Sequence, residues 1–280
     1  MDIAIGLPST IPGVDRDHHL EWARRADERG FSSLGVLDRI VYPNVDPLIA
    51  LTAAAAVTDR IGLTSSIVIG PYRNTAILAK QAASLDVVSG GRLTLGIAPG
   101  GRRDDYEAAV VDFATRGERF DEQLADLVRI WSGDEIGPDP ARDGGPELVI
   151  GGYADAAPRR VAQYANGWVA GGLPPDQVKE RVEPMRTAWQ AAGRAGEPRI
   201  LALAYYALGP DAETLAAGYL KHYYAWLGDA ADAIVAGAAK DPETVRQYAS
   251  AFEAAGSDEL LFFPCSVDAD QVDRLAEAVL

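Results

Sequence analysis

The sequence predicts a (β/α)8 barrel built as a single domain over residues 1–280. Three observations carry this reading. Strand-like and helix-like segments alternate eight times along the chain. Several of the strand-like runs are apolar throughout, as parallel strands covered on both faces are. The turn after the first of them, Pro8-Ser9-Thr10-Ile11-Pro12-Gly13, lacks the G-x-G-x-x-G pattern of an open dinucleotide-binding sheet. Alternating units imply right-handed crossovers and a parallel sheet, and eight of them suggest closure into a barrel. An open doubly wound sheet is the alternative.

The elements follow in order. Asp2–Leu7 is the first expected strand; a helix from about Asp15 to Arg29 follows, with Leu20, Ala23 and Ala26 on one face and Gly30 as its C-cap. Ser33–Leu37 leads into the alanine-rich helix Pro47–Val57. Ile61–Ile69 precedes a helix over about Thr75–Val88, stopped by Gly90-Gly91. Leu93–Ile97 is followed by two helical pieces, Asp104–Val110 and Glu118–Trp131. Glu147–Ile150 runs into a helix starting near Asp155 and ending before Asn166-Gly167. Gly167–Ala170 precedes a helix over about Asp176–Ala192. Ile200–Leu208 is followed by a long region, Asp211 to Ala255, expected to hold three helices. Glu259–Phe263 and a helix over Ala269–Val279 close the pattern.

Composition narrows the function classes. The chain carries 26 basic and 41 acidic residues, a formal charge of -15, with no Lys/Arg run longer than two. Such a field repels nucleic acid and anionic membrane, so neither is an expected partner. No stretch of about 18 apolar residues is present for a membrane span. Met1-Asp2-Ile3 lacks the basic and apolar regions of a signal peptide, and a cytoplasmic protein is expected. The lone Cys265 follows the apolar run Leu260–Phe263 and reads as a buried structural thiol. The three histidines, His18, His19 and His222, form no His-x-His at a strand end, which argues against a zinc hydrolase. No Schiff-base lysine stands at a strand end, which argues against an aldolase.

Five stretches stand out together: Gly30–Arg39, ending Leu37-Asp38-Arg39; Asp46-Pro47 with its helix and Thr58–Val68; Leu78–Asp86 with Ser89–Ile97; Asp112–Glu122, with Arg116-Gly117-Glu118-Arg119-Phe120 at its centre; and Leu148–Asp155 with Arg159-Arg160 and Ala165–Trp168. In their joint order and spacing they resemble the luciferase-like monooxygenases, a family of FMN- and F420-dependent oxidoreductases. The resemblance is strong over residues 1–172 and weaker beyond.

It implies a cofactor at the C-terminal ends of the strands, FMN first and F420 as the alternative. Ser65, Ser66 and Ile67 would face the flavin ring, with a non-proline cis peptide at Ser66–Ile67. Gly100 and Gly101 would meet the cofactor, and Arg102 or Arg103 would meet the phosphate or the ring's polar edge; pairing of either arginine with Asp104 or Asp105 at the surface is the alternative. Gly151, Gly152 and Tyr153, ahead of a helix whose free N–H groups favour phosphate, would form the cradle, with Arg159 and Arg160 on that helix; an ordinary glycine turn is the alternative. The resemblance places Asp38 and Arg39 at the catalytic position. The family often has His after the acid; Arg39 stays protonated and so cannot be a general base. It would fix an anionic substrate or a flavin oxygen, unless it simply pairs with Asp38. Leu7, Tyr42 and Tyr72, with Pro8 and Trp226, suggest an apolar substrate pocket. The aromatic run His222-Tyr223-Tyr224-Ala225-Trp226, one turn after Tyr219, reads as a lid, or as packing or a subunit contact.

The activity implied is oxygenation of a small organic substrate by reduced FMN and O2. F420-dependent hydride transfer is the alternative, and a non-catalytic flavin-binding protein the third reading. A homodimer through the outer helices, for instance over Leu48–Val57, and a separate flavin reductase are the expected partners.

Overall fold

Nine parallel strands close into a barrel in the computed structural model, which describes residues 1–133 and 136–280. In chain order the elements are β1 (Asp2–Gly6), α1 (Arg16–Arg29), β2 (Ser33–Val36), α2 (Pro47–Ala55), β3 (Gly62–Ser65), β4 (Val68–Ile69), α3 (Thr75–Ser89), β5 (Leu93–Ala98), α4 (Arg103–Ala108), α5 (Arg116–Trp131), β6 (Glu147–Gly151), α6 (Ala157–Tyr164), β7 (Gly167–Val169), α7 (Pro175–Ala191), β8 (Arg199–Tyr206), α8 (Ala212–Tyr223), α9 (Ala231–Ala236), α10 (Pro242–Ala254), β9 (Glu259–Pro264) and α11 (Asp270–Val279). The sheet runs β3-β2-β1-β9-β8-β7-β6-β5-β4, and a β3–β5 pairing closes it. The eight expected strands are therefore present, the third being broken into β3 and β4 at Ser66-Ile67. The region 211–255 does hold three α-helices, with a 3-10 turn over Ala225–Ala230 between them.

Local chemistry fixes the helix ends that set the loops. Asp15 accepts from the His18 N–H and Gly30 ends α1 in the left-handed region at φ 95°. Asp46 caps α2 ahead of Pro47, and Asn74 caps α3, which stops at Gly90. The sixth helix starts at Ala157, two residues later than expected.

Two apolar layers result. One lies between strands and helices, with Trp22, Phe31, Leu34, Trp168 and Phe262 fully enclosed. The other fills the barrel, where Leu201, Leu203, Tyr205, Leu261 and Phe263 point inward. Phe263 occupies the room left by two glycines: a Cβ on Gly6 would overlap its ring, and one on Gly35 would lie 2.9 Å from it. The barrel floor is polar. Arg199 donates to Glu147 at 2.8 Å and to the fully buried Glu259 at 2.8 Å, while Ser32 and Ser33 donate to the other Glu259 oxygen. The floor is thus sealed by paired charges, and the open rim is the C-terminal end. Cys265 is buried there, and its burial pushes the thiol pKa well up. No helix among the described residues is long and apolar enough to cross a membrane.

Candidate cofactor site

The break between β3 and β4 shapes the site. The Ser66–Ile67 peptide bond is cis, as expected. Three contacts hold the break in place. The Ser66 N–H donates to the Val36 carbonyl at 2.7 Å. The Ile69 N–H donates to the Asp38 carboxylate at 2.9 Å, and Arg73 donates to both Asp38 oxygens at 3.0 Å. Tyr72 adds a hydroxyl donor to the same carboxylate at 3.2 Å. Burial pushes the Asp38 pKa up, and Arg73 and the Ile69 N–H pull against that shift without reversing it. Arg73 also reaches Asp46, so one guanidinium links the end of β2, the start of α2 and the loop after β4.

A cavity of about 380 Å³ opens beside this break, at the C-terminal ends of β4, β5 and β6. Ser66 and Ile67 form one wall, Gly100 and Gly101 a second, and Gly151 and Gly152 a third. Glycine is required at two of these. Gly100 sits at φ +67°, where a Cβ would also press on Ile69 at 2.9 Å, and Gly152 sits at φ +123°. A Cβ on Gly151 would lie 3.2 Å from both Ala98 and Ile67 and intrude on the space. Beyond Gly152 and Tyr153, α6 begins with no side-chain cap, and Ala154 and Ala157 line that end of the cavity; the Ala157 N–H donates to the Ala154 carbonyl at 2.8 Å and Pro158 has no N–H, so of the first helical turn only the Arg159 N–H is without a backbone partner among the described residues. Arg116, the first residue of α5, lines the same end. The Ser66 hydroxyl is buried with no hydrogen-bond partner among the described residues. An orphaned hydroxyl, a glycine cradle, an uncapped helix start and an arginine are what a flat ring with a phosphate-bearing tail requires, and the residues fit such a group. Among the described residues no group of three or more His, Cys, Asp or Glu side chains is arranged to hold a metal ion.

Residues 3–278 match the family described as luciferase-like monooxygenase. The chain belongs to that family. Among its relatives, an uncharacterized protein of Mycobacterium tuberculosis is 28% identical over 217 residues, 65% of this chain and 74% of the relative. The 4-hydroxyprotoasukamycin monooxygenase of Streptomyces nodosus subsp. asukaensis is 28% identical over 200 residues, 65% of this chain and 54% of the relative. Among solved structures, the monooxygenase RslO1 of Streptomyces bottropensis aligns with a TM-score of 0.81 at 21% identity, over 99% of this chain and 98% of its own. An F420-dependent secondary alcohol dehydrogenase, in complex with an F420–acetone adduct, aligns at 0.82 with 17% identity over the same shares. At these identities the solved structures establish the shared barrel.

Seven of the nine positions expected at a luciferase-like cofactor site line the cavity: Ser66, Ile67, Gly100, Gly101, Gly151, Gly152 and Tyr153. Two do not. Ser65 turns the other way; its hydroxyl donates to the Gly96 carbonyl at 2.8 Å and accepts from the Gly96 N–H at 2.9 Å, joining β3 to β5. Arg102 is held by Asp104 and stacks 4.7 Å from the Trp226 ring centroid. Arg159 and Arg160 are also engaged elsewhere, both on Asp121 of α5. Hydrogen bonds from Arg160 and Arg159 hold the Asp121 pKa down at about 2. Arg116, which the sequence reading quoted without a role, is the arginine that reaches the cavity.

Asp38 and Arg39 do not pair with each other. Arg39 donates to Asp105 at 2.7 Å and to Asp104 at 3.2 Å, and Asp105 also receives the Ile40 and Val41 N–H groups. The expected substrate residues also lie outside the cavity. Leu7 is buried between strands and helices. Tyr72 packs edge-on against Tyr106 and bonds to Asp38. Tyr42 bonds to His222 at 2.6 Å and packs on Tyr223. The aromatic run is packing over the barrel mouth: Tyr219 bonds to Thr10 at 2.6 Å and Tyr224 to Tyr205 at 2.8 Å. Beside it, between the loop after β7 and α9–α10, a second cavity of about 350 Å³ is walled by Leu203, Tyr205, Tyr224, Ile234 and Phe252.

Proposed function

We propose that this chain is an oxidoreductase that holds the tricyclic head of FMN or F420 in the 380 Å³ cavity, with the cofactor phosphate at the start of α6. The observation that carries the reading is the buried, partnerless Ser66 hydroxyl beside the glycine cradle. A buried hydroxyl without a partner costs roughly 1–3 kcal/mol, so its retention at a cavity wall favours a ligand that satisfies it. When bound, the cofactor supplies redox chemistry: oxygen activation for reduced FMN, hydride transfer for F420.

The protein's own share is placement and exclusion of water. Ile67 supports the ring from the break. Gly100, Gly151 and Gly152 let the backbone approach it. Arg116 takes the phosphate beside the start of α6, where the helix dipole favours an anion. In this reading Asp38 and Arg39 position the rim, and neither takes a proton in the reaction. The packed tyrosines roof the mouth, and the apolar 350 Å³ cavity beside Tyr224 takes a small organic substrate.

FMN with O2 is the reading the sequence put first. Arg116, which has no carboxylate partner among the described residues, suits the phosphate of either cofactor. Fluorescence titration of the purified protein with each cofactor tests the proposal. Saturable binding weakened by Gly152→Val supports it. Absence of binding by both, or binding indifferent to Gly152→Val, overturns it. Binding without turnover of any small organic substrate would leave the non-catalytic reading.

A further inference from the structure

Among the described residues no charged side chain lines the 350 Å³ cavity between the loop after β7 and α9–α10. Its walls are the aliphatic side chains of Leu203 and Ile234 and the rings of Tyr205, Tyr224, Tyr248 and Phe252. The side-chain polar atoms in that lining are the phenol hydroxyls alone. The Tyr248 hydroxyl is engaged: it donates to the Gly237 carbonyl at 2.8 Å. The other two pair with each other, Tyr205 with Tyr224 at 2.8 Å, and neither has another partner among the described residues. A pair of hydroxyls uses one proton between them and keeps the second free. One O–H donor is therefore left over in an otherwise apolar chamber.

Packing decides which hydroxyl presents that donor. Tyr205 sits inside the barrel with the rings of Tyr219, Tyr224 and Phe263 edge-on against it. Tyr224 follows α8 as its C-cap and is only half-buried. The enclosed Tyr205 is thus placed to donate to Tyr224, and Tyr224 to whatever occupies the cavity. Burial pushes both pKa values up, that of Tyr224 to about 12, so both phenols keep their protons at neutral pH. The chamber also adjoins the cofactor cavity: Gly171 lines one and Gly172 the other, so a single loop separates them.

Resting on the reading of this cavity as the substrate pocket, we propose that the substrate is a neutral, largely apolar molecule with one oxygen acceptor, and that the Tyr224 hydroxyl donates to that oxygen. An anion is excluded twice. No cation lines the cavity to pair with it, and burying an unpaired charge costs far more than burying a hydroxyl. The protein's formal charge of -15 repels it as well. A pure hydrocarbon would fill the walls but leave the second phenol proton without a partner. A carbonyl oxygen satisfies that proton, and the bond fixes one end of the molecule while its apolar frame lies against Leu203, Ile234 and Phe252.

The test is ligand-observed NMR titration of the cofactor-free protein with three probes built on one ring. Acetophenone has the oxygen, cumene has a methyl group in its place, and benzoate has an anionic oxygen in place of the methyl group. Wild type is expected to bind acetophenone, to bind cumene more weakly and not to bind benzoate. Tyr224→Phe should weaken acetophenone about two- to twelvefold, the range of one hydrogen bond, and leave cumene unchanged, so that the preference for the oxygen disappears. A merely structural role would shift both probes together. Tyr205→Phe should keep the preference. Ala233→Phe, at the exposed mouth of the cavity, should fill it and abolish acetophenone binding. Equal losses of acetophenone and cumene in Tyr224→Phe, loss of the preference in Tyr205→Phe instead, binding of benzoate, or acetophenone binding indifferent to Ala233→Phe overturns the proposal. Titrations of the same variants with FMN and with F420 should match wild type, since Tyr205, Tyr224 and Ala233 lie outside the cofactor cavity. Failure of acetophenone to bind wild type while a cofactor binds overturns the substrate inference alone. Failure of both cofactors overturns the cofactor reading, whatever acetophenone does.

Discussion

Ser66→Ala separates the free and bound states of the proposed cofactor site. The Ser66 hydroxyl is buried with no partner among the described residues, and the side chain as a whole is 5% exposed. A buried hydroxyl in that condition costs roughly 1–3 kcal/mol, whereas one that is bonded contributes about 0.5–1.5 kcal/mol net. Alanine removes the single oxygen and keeps the Cβ, so little cavity is created. The cofactor-free protein should therefore gain about 1 kcal/mol. For a domain of this size that is a rise of about 2 °C in melting temperature. The bound state should respond with the opposite sign. If the ring supplies the missing partner, the variant loses that bond, and affinity falls roughly two- to twelvefold. Urea unfolding without cofactor and fluorescence titration with it give the two numbers. A cofactor-free protein destabilised by 1 kcal/mol or more would refute the reasoning, because it would show the hydroxyl already bonded before any ligand arrives.

Three further predictions rest on other parts of the fold. Arg199→Met leaves the fully buried Glu259 with only the Ser32 and Ser33 hydroxyls; urea unfolding at neutral pH should show a loss of about 3–5 kcal/mol. Gly35→Ala places a Cβ 2.6 Å from Leu261 and should cost about 1–3 kcal/mol by overpacking, with Leu261→Val returning part of it in the double variant. Asp121 has its folded pKa held at about 2, below its ordinary 3.8, so its tie between α5 and α6 is fully present above about pH 4 and is lost as pH falls toward 2. With the carboxylate a third exposed and screened by solvent, that tie is worth at most about 1 kcal/mol. A pH series of melts comparing wild type with Asp121→Asn should show the two converge at the acid end.

The fold was legible because parallel strands covered on both faces leave apolar runs in the chain, and each run here pairs in register with the next, as Ile5 with Leu34 and Leu34 with Leu63. The break at Ser66-Ile67 was legible only through the family resemblance; by periodicity alone, residues 61–69 are one strand. That break also explains the miss at Ser65. Successive strand residues point to opposite faces, so two adjacent serines do not both face one cavity unless the strand is interrupted between them, and the cis peptide comes only after Ser66, whose N–H still pairs with Val36 of β2. The arginines failed for a different reason. Six of them, at 102, 103, 116, 119, 159 and 160, lie near the site in the chain, and which of them is free depends on where Asp104 and Asp121 reach. That is a property of helix packing, and no spacing in the sequence encodes it.

Asp38 and Arg39 show why a chemically suggestive pair at a strand end is not yet a catalytic pair. Adjacent in the chain, they turn toward different elements: Asp38 to Arg73 and the Ile69 N–H, Arg39 to Asp105 at the start of α4. Each bond ties the end of β2 to a neighbouring segment, Asp38 to the segment that follows the cis peptide and Arg39 to α4, which follows the loop that carries Gly100 and Gly101. The two walls of the cavity are thus referred to the same two residues. If the cavity holds the proposed cofactor, a substitution at either one is expected to weaken cofactor affinity rather than displace a pH profile. The absence of a histidine after Asp38 then has a structural meaning: a neutral imidazole has a single N–H donor and cannot hold both Asp104 and Asp105, whereas the permanently charged guanidinium fork of Arg39 does.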